Sequence, residues 1–343
     1  MEHFIETRFG DPILSIDISK QFIVFGSALG QIGLFSLYTG EQFLLTELAE
    51  EGVKSVYIND QGHIFASIGD LYLLAFKQNE KNEWFSERIT FENRQHTNIL
   101  CNNTQVLQHK MKICLLAIDN TSFLLSEKIE MRHKLVIFDC FTRWSEEFKG
   151  IGFPKFSVPL SFTGDELLWM ERDTEGTRVL KLLNFETLTA QVIKYFHKAF
   201  GTITCVCYVK EHIVFVHDLS KIKVMDTQTG DVLRDVGESD AEILAVFYYV
   251  TGVCDETDSS KVLKCANLVV SVDKSAKICI WQESELVERI DLCHLAGIKL
   301  DSCDRYFGMG YPYKLIAFND FIAVSTDIGI IVVKSGYLAT LIC

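Results

Sequence analysis

Residues 267–281 read NLVVSVDKSAKICIW. Two apolar runs rich in β-branched residues flank the polar step Asp273-Lys274-Ser275-Ala276, the pattern of strand, tight turn, strand. The same pattern recurs in FIVFGSALGQIGLF (22–35), HIVFVHDLSKIKVM (212–225) and FIAVSTDIGIIVV (321–333). Gly30, Asp218, Asp273 and Asp327–Gly329 fall where the turns need residues that tolerate a left-handed backbone or bond their own main chain. The second strand of this unit returns along the chain as a short pentapeptide. It appears as IGLFS (32–36), LYLLA (71–75), LVIFD (135–139), LKLLN (180–184), IKVMD (222–226), ICIWQ (278–282) and IIVVK (330–334).

A further strand precedes several of these hairpins, as in ILSIDIS (13–19), VKSVYIN (53–59), TITCVCYV (202–209) and ILAVFYYV (243–250). A fourth follows turns such as 38–41 and 227–230. Four antiparallel strands repeated at a period of roughly fifty residues predict an all-β, seven-bladed β-propeller. The expected blades are 10–50, 51–93, 94–150, 151–196, 197–237, 238–291 and 292–343, forming a single domain over 1–343. Only four prolines occur, which suits a chain built of ladder-paired strands. Residues 3–8 are expected to pair with the last blade, and YLATLIC (337–343) reads as a final strand.

The chain resembles a degenerate WD-repeat (WD40-like) β-propeller over nearly its full length. The resemblance is sharpest in the sixth unit, where Ser271, Asp273 and Trp281 follow the family's Ser, Asp, strand-c Trp pattern. Gly237-Glu238 stands where the family has a Gly-His pair, so the histidine is replaced. The third and fifth units keep the aspartate (Asp139, Asp226) without the tryptophan. The resemblance implies a rigid platform that assembles other proteins, a scaffold or adaptor within a larger complex. It also implies that the strand b–c turns and the d–a linkers share one face.

Composition narrows the function classes. Hydrophobic residues make up 48% of the 343, enough for a sizeable core. The net charge of −13 argues against binding nucleic acid through its phosphates, so a nucleic-acid platform would need its basic residues gathered on one face. Eleven cysteines without a CxxC, the nearest pair being Cys205 and Cys207, read as reduced and mostly buried thiols. That points to an intracellular, reducing compartment, the cytoplasm first. The N-terminus MEHFIETRFG has no signal-peptide h-region, and Asp320 and Asp327 interrupt the most apolar stretch, so no membrane span is expected.

No catalytic motif stands out. The nine histidines are scattered, and GxSxG, HExxH and a lysine P-loop are all missing. An enzyme would need convergent polar groups in a central channel, whereas the expected channel strands are apolar and thiol-bearing. No catalytic residue, metal ligand, cofactor or small-molecule substrate is therefore expected. The aspartates of the b–c turns (Asp70, Asp218, Asp273, Asp327) form the turns or, alternatively, an acidic rim. Departures from the repeat mark candidate surfaces: an insertion at 119–134, read as a solvated loop, an acidic loop at 254–265, and the linker 293–313. That linker ends in DRYFGMGYPY (304–313), which fits neither helical nor strand periodicity. Arg305, Tyr306, Phe307, Met309, Tyr311 and Tyr313 are accordingly the candidate contacts for another protein, since aromatic residues and arginine dominate interface hot spots. The alternative is that the rings fold back to cover a blade edge.

Overall fold

The computed structural model describes residues 4–8, 10–46, 51–58, 62–68, 72–79, 83–90, 105–109, 112–116, 121–125, 128–132, 136–139, 144–147, 158–163, 166–172, 177–184, 187, 189–197, 200–209, 211–250, 267–297, 304–310 and 313–342. After β1 (Phe4–Arg8), the chain forms β2 (Ile13–Ile18), β3 (Phe22–Ser27), β4 (Ile32–Ser36) and β5 (Gln42–Thr46), then β6 (Val53–Ile58), β7 (Ile64–Ile68), β8 (Tyr72–Gln78) and β9 (Trp84–Thr90). Six shorter strands follow: β10 (Gln105–His109), β11 (Lys112–Leu116), β12 (Thr121–Leu125), β13 (Lys128–Arg132), β14 (Val136–Asp139) and β15 (Trp144–Glu147). Next come β16 (Val158–Thr163), β17 (Glu166–Arg172), β18 (Arg178–Asn184) and β19 (Thr189–Phe196). The quartet β20 (Ile203–Val209), β21 (His212–His217), β22 (Lys221–Asp226) and β23 (Val232–Glu238) precedes β24 (Ile243–Val250), β25 (Asn267–Asp273), β26 (Lys277–Gln282) and β27 (Glu285–Asp291). Two helical turns, α1 (Leu292–Leu295) and α2 (Asp304–Phe307), lead to β28 (Leu315–Phe318), β29 (Phe321–Ser325), β30 (Gly329–Lys334) and the helix α3 (Gly336–Ile342).

These strands build six four-stranded antiparallel sheets: β2–β5, β6–β9, β16–β19, β20–β23, β24–β27 and β1-β30-β29-β28. The six strands β10–β15 form three two-stranded ladders. Five of the seven recurring pentapeptides fall on the third strand of a four-stranded sheet in chain order, IIVVK falls on β30 between β29 and β1, and LVIFD falls on β14. Turn chemistry explains the regular joints. Gly40 and Gly230 both take a left-handed backbone (φ 70° and 69°) and donate to Ser36 O and Asp226 O at 3.0 Å. In the second of these turns, Asp226 Oδ1 also accepts from the amides of Gln228 and Thr229.

Contacts divide the chain into two compact units, 1–16 with 201–343, and 17–200. In the second unit β3 packs beside β6, and Val24, Ile32, Leu34, Ile64, Ala66 and Phe76 share one apolar core. Gly33 is required there: a Cβ on it would lie 2.1 Å from the Phe25 ring. In the first unit the leading strands β20, β24 and β28 lie side by side. Its core includes Leu268, Val270, Ile278, Ile280, Ile322 and Ile331. Every residue of β30 but Lys334 is buried, the pattern of a strand covered on both faces.

The pairing of the N-terminus with the last sheet follows the sequence reading, with Phe4 opposite Val333 through Arg8 opposite Gly329. Two readings are corrected. The run 337–343 is not a strand, because 336–342 form α3, whose Ser335 hydroxyl accepts from Leu338 N at 2.9 Å as an N-cap. The 119–134 insertion is no loop either: β12 and β13 pair as a hairpin between β11 and β14, and those two strands lie side by side. The acidic segment 254–265 lies outside the described residues. Among the described residues, no helix is long and apolar enough to cross a membrane.

Candidate interaction site

In the first unit, hairpin turns alternate with linkers, each hydrogen-bonded to the next. Thr202 N donates to Asp218 Oδ1 (3.0 Å), and Ile243 N donates to Leu219 O (2.7 Å). Lys274 N donates to Glu242 O (2.8 Å), and Leu292 N donates to Ala276 O (3.0 Å). Asp327 N then donates to Tyr306 O (2.9 Å), and Gly10 N donates to Ile328 O (3.2 Å). The last two bonds fix Tyr306 and Gly10 against the turn joining β29 to β30.

The turn aspartates do more than shape their own turns. Asp273 Oδ1 accepts from Ser275 N, Ser275 Oγ and Lys277 N, while its Oδ2 accepts from Ser239 Oγ of the preceding linker at 2.7 Å. Trp281 Nε1 donates to Ser271 Oγ at 3.1 Å inside the same sheet. The Trp281 ring lies over Gly237, where a Cβ would come within 2.3 Å of it. Ser239 thus ties the linker before β24 to the turn between β25 and β26. Asp273 and Asp327 are each 4% exposed with carboxylates turned inward, so they make no acidic rim. Asp218 does reach solvent, and Asp70 lies outside the described residues.

Asp327 organises the candidate loop. Its Oδ2 accepts from Gly308 N (2.7 Å) and Met309 N (2.8 Å), and its Oδ1 accepts from Tyr313 Oη (2.8 Å). Burial pushes the Tyr313 phenol well above its usual range, and the Asp327 hydrogen bond and charge push it further. Tyr313 therefore stays a neutral donor. Its ring meets Phe307 edge-on at 5.0 Å, and Phe307 meets Tyr306 at 6.2 Å.

This geometry corrects the reading of the rings as surface contacts. Tyr306, Phe307 and Tyr313 are 0%, 2% and 6% exposed and belong to the core cluster with Leu292, Leu315 and Leu338. The periodicity was obscured because Asp304–Phe307 make only one helical turn, too short to reveal a face. Met309 is the exception. It is 67% exposed between two exposed glycines, on a loop whose backbone Asp327 holds at two amides. Tyr311 and the Arg305 side chain lie outside the described residues. The missed residue is Asp327: its turn position was legible, but its role as clamp depends on a linker fourteen to nineteen residues earlier.

The leading strands carry the other reactive groups. Cys205 Sγ donates to Leu244 O at 2.9 Å, and Cys207 Sγ accepts from Tyr248 N at 3.4 Å, so both thiols bind β20 to β24. Burial pushes each up to about 11, leaving protonated thiols that are poor nucleophiles. Cys205, Cys207 and Cys279 are free, but Cys293 is disulfide-bonded, which corrects the expectation that every cysteine is reduced. His217 Nδ1 lies 3.3 Å from Asp218 Oδ2. Among the described residues, no group of three or more His, Cys, Asp or Glu side chains is placed to hold a metal ion.

No protein-family model and no curated protein matches the chain. Solved structures do: 1209 chains match, so the architecture is too widely used to name a task. One match is the crystal structure of the computationally designed Ika8 protein, with a TM-score of 0.54 and 17% sequence identity over 95% of this chain and 97% of that one. At that identity the likeness is one of fold alone, an all-β chain of repeated antiparallel sheets.

Proposed function

We propose that the protein is a non-catalytic scaffold or adaptor for other proteins, built as a seven-bladed WD-repeat-like propeller and working within a larger intracellular complex. Six four-stranded sheets supply six blades in this reading. The seventh is the quartet β10, β11, β14 and β15, with the β12–β13 hairpin inserted between its second and third strands. The Ser271–Trp281 and Ser239–Asp273 bonds support the WD-repeat likeness. The free thiols Cys205, Cys207 and Cys279 favour an intracellular compartment, the Cys293 disulfide notwithstanding.

One observation carries the reading. An exposed methionine is held out on a loop that the buried Tyr306, Phe307 and Tyr313 and the Asp327 carboxylate anchor from within, an arrangement that spends buried groups to fix one accessible apolar side chain. Methionine adapts to varied partner surfaces because its side chain is flexible and polarisable. The test is affinity capture from the native cell with the wild type and Met309→Asp, the latter chosen because the Met309 side chain is largely exposed. Loss of a partner from a variant with unchanged melting temperature supports the reading. Retention of every partner refutes this loop as the contact.

A further inference from the structure

A second surface lies on the outer strands of the first unit. Strand β23 is the last of its sheet, bonded to β22 on one side only. Its pairing slips twice, and one slip leaves Leu233 as an extra residue between Val232, opposite Met225, and Arg234, opposite Val224. A bulge re-aims side chains, which explains why two adjacent residues, Val232 (37%) and Leu233 (52%), are both exposed on one strand. The next sheet contributes to the same region. Ser284 Oγ, in the turn between β26 and β27, donates to Asp235 O of β23 at 2.8 Å, and β23 contacts β27, whose Leu286 is 39% exposed.

The charge around these three apolar residues is mainly acidic. Asp231, Asp235, Glu283 and Glu285 are exposed, and the one basic residue of β23, Arg234 between Leu233 and Asp235, is half-buried. Lys223 offsets Asp235 at 2.8 Å, while no ion pair among the described residues engages Glu283 or Glu285. Natural sheets guard exposed edges with charge, proline or bulges. Here the bulges of β23 leave apolar side chains in the open beside an acidic border.

We infer that this edge is a docking surface for an extended segment of another protein in which apolar and basic side chains alternate. The apolar positions would cover Val232, Leu233 and Leu286, and the basic ones would face Glu283 and Glu285. Extended segments that lie along sheet edges take their affinity from the main chain and their specificity from alternate side chains. Acidic borders of this kind add encounter rate and discrimination. This surface shares no residue with the Met309 loop, so the two sets of variants test them independently.

The test uses the full chain and a fluorescent peptide of alternating lysine and valine, followed by anisotropy and hydrogen exchange. The expected result is saturable binding that protects amides in 231–235 and 284–287, weakens with added salt, and falls at least tenfold in Leu233→Ser and in Glu283→Lys/Glu285→Lys. A glutamate–valine peptide should not bind. Should Leu233→Ser unfold, Leu286→Ser takes its place. Absence of binding, protection confined to other strands, or equal affinity for the charge-reversed variant overturns the inference.

Discussion

Single side chains decide how firmly neighbouring turns and strands are joined. Trp281 illustrates this, because its indole N–H is bonded to Ser271 in a site where both residues are almost fully buried. Trp281→Phe removes the donor and part of the ring, and is expected to cost about 1–3 kcal/mol, read as a lower urea midpoint. Asp17 is the opposite case, a half-buried carboxyl that accepts from Ile58 N at 2.8 Å yet is pushed up to about 7 by burial. Its folded state binds a proton more tightly than the unfolded chain does. Stability from this group is therefore complete below about pH 4 and is lost as pH rises through 7, after which it levels. Asp17→Asn keeps the acceptor and removes the charge. It should leave stability unchanged at pH 4 and raise it by roughly 1–2 kcal/mol at pH 8, the shift being discounted for partial exposure. Thermal unfolding of both proteins across that range checks the sign, and parallel pH profiles would contradict it.

At the scale of elements, the hairpins were legible and the helices were not, for the same physical reason. A β-hairpin is specified locally, by alternating apolar runs and by turn residues such as Gly30 or Gly230 that sit within a few positions of both strands. Helix α3 is specified from a distance. Glu288, on β27, accepts from Gly336 N and Tyr337 N and bonds the Ser335 hydroxyl, while Tyr337 bonds Gln282. Nothing within YLATLIC announces that carboxylate, and a short apolar run cannot by itself separate strand from helix. The same limit hid the burial of Tyr306, Phe307 and Tyr313, whose fate depends on Asp327 in a later turn. Glu288→Ala should consequently fray α3 at a cost of about 1–2 kcal/mol. Hydrogen exchange should accelerate at the amides of 337–341 and stay unchanged in β21 and β22. A uniform acceleration across the sheets would mean that α3 is integral to global stability rather than a capped addition.

For the molecule as a whole, the sequence shows a period and the pairing of its N-terminus with the last repeat, but not that the chain leaves that sheet as a helix. The final hairpin and β28 provide three strands, the chain then turns into α3, and the fourth place is taken by β1 from the other end of the sequence. Five residue pairs hold β1 to β30, and the backbone bonds of Gly10 to Ile328 and Ile13 to Thr326 continue the contact. Without β1, the buried strand Gly329–Lys334 would become an edge with an unpaired row of backbone groups. A chain lacking residues 1–9 should melt several degrees lower than the full chain and aggregate on heating, through the uncovered β30 edge. A separate peptide of residues 1–9 should restore the melting temperature in a saturable way, while the same peptide with Ile5→Pro, which cannot complete the ladder, should not. Equal rescue by both peptides would show that the segment acts through non-specific cover. An unchanged melting temperature in the truncated chain would show that β1 contributes no closing energy, and that β28–β30 stand on packing within the first unit alone.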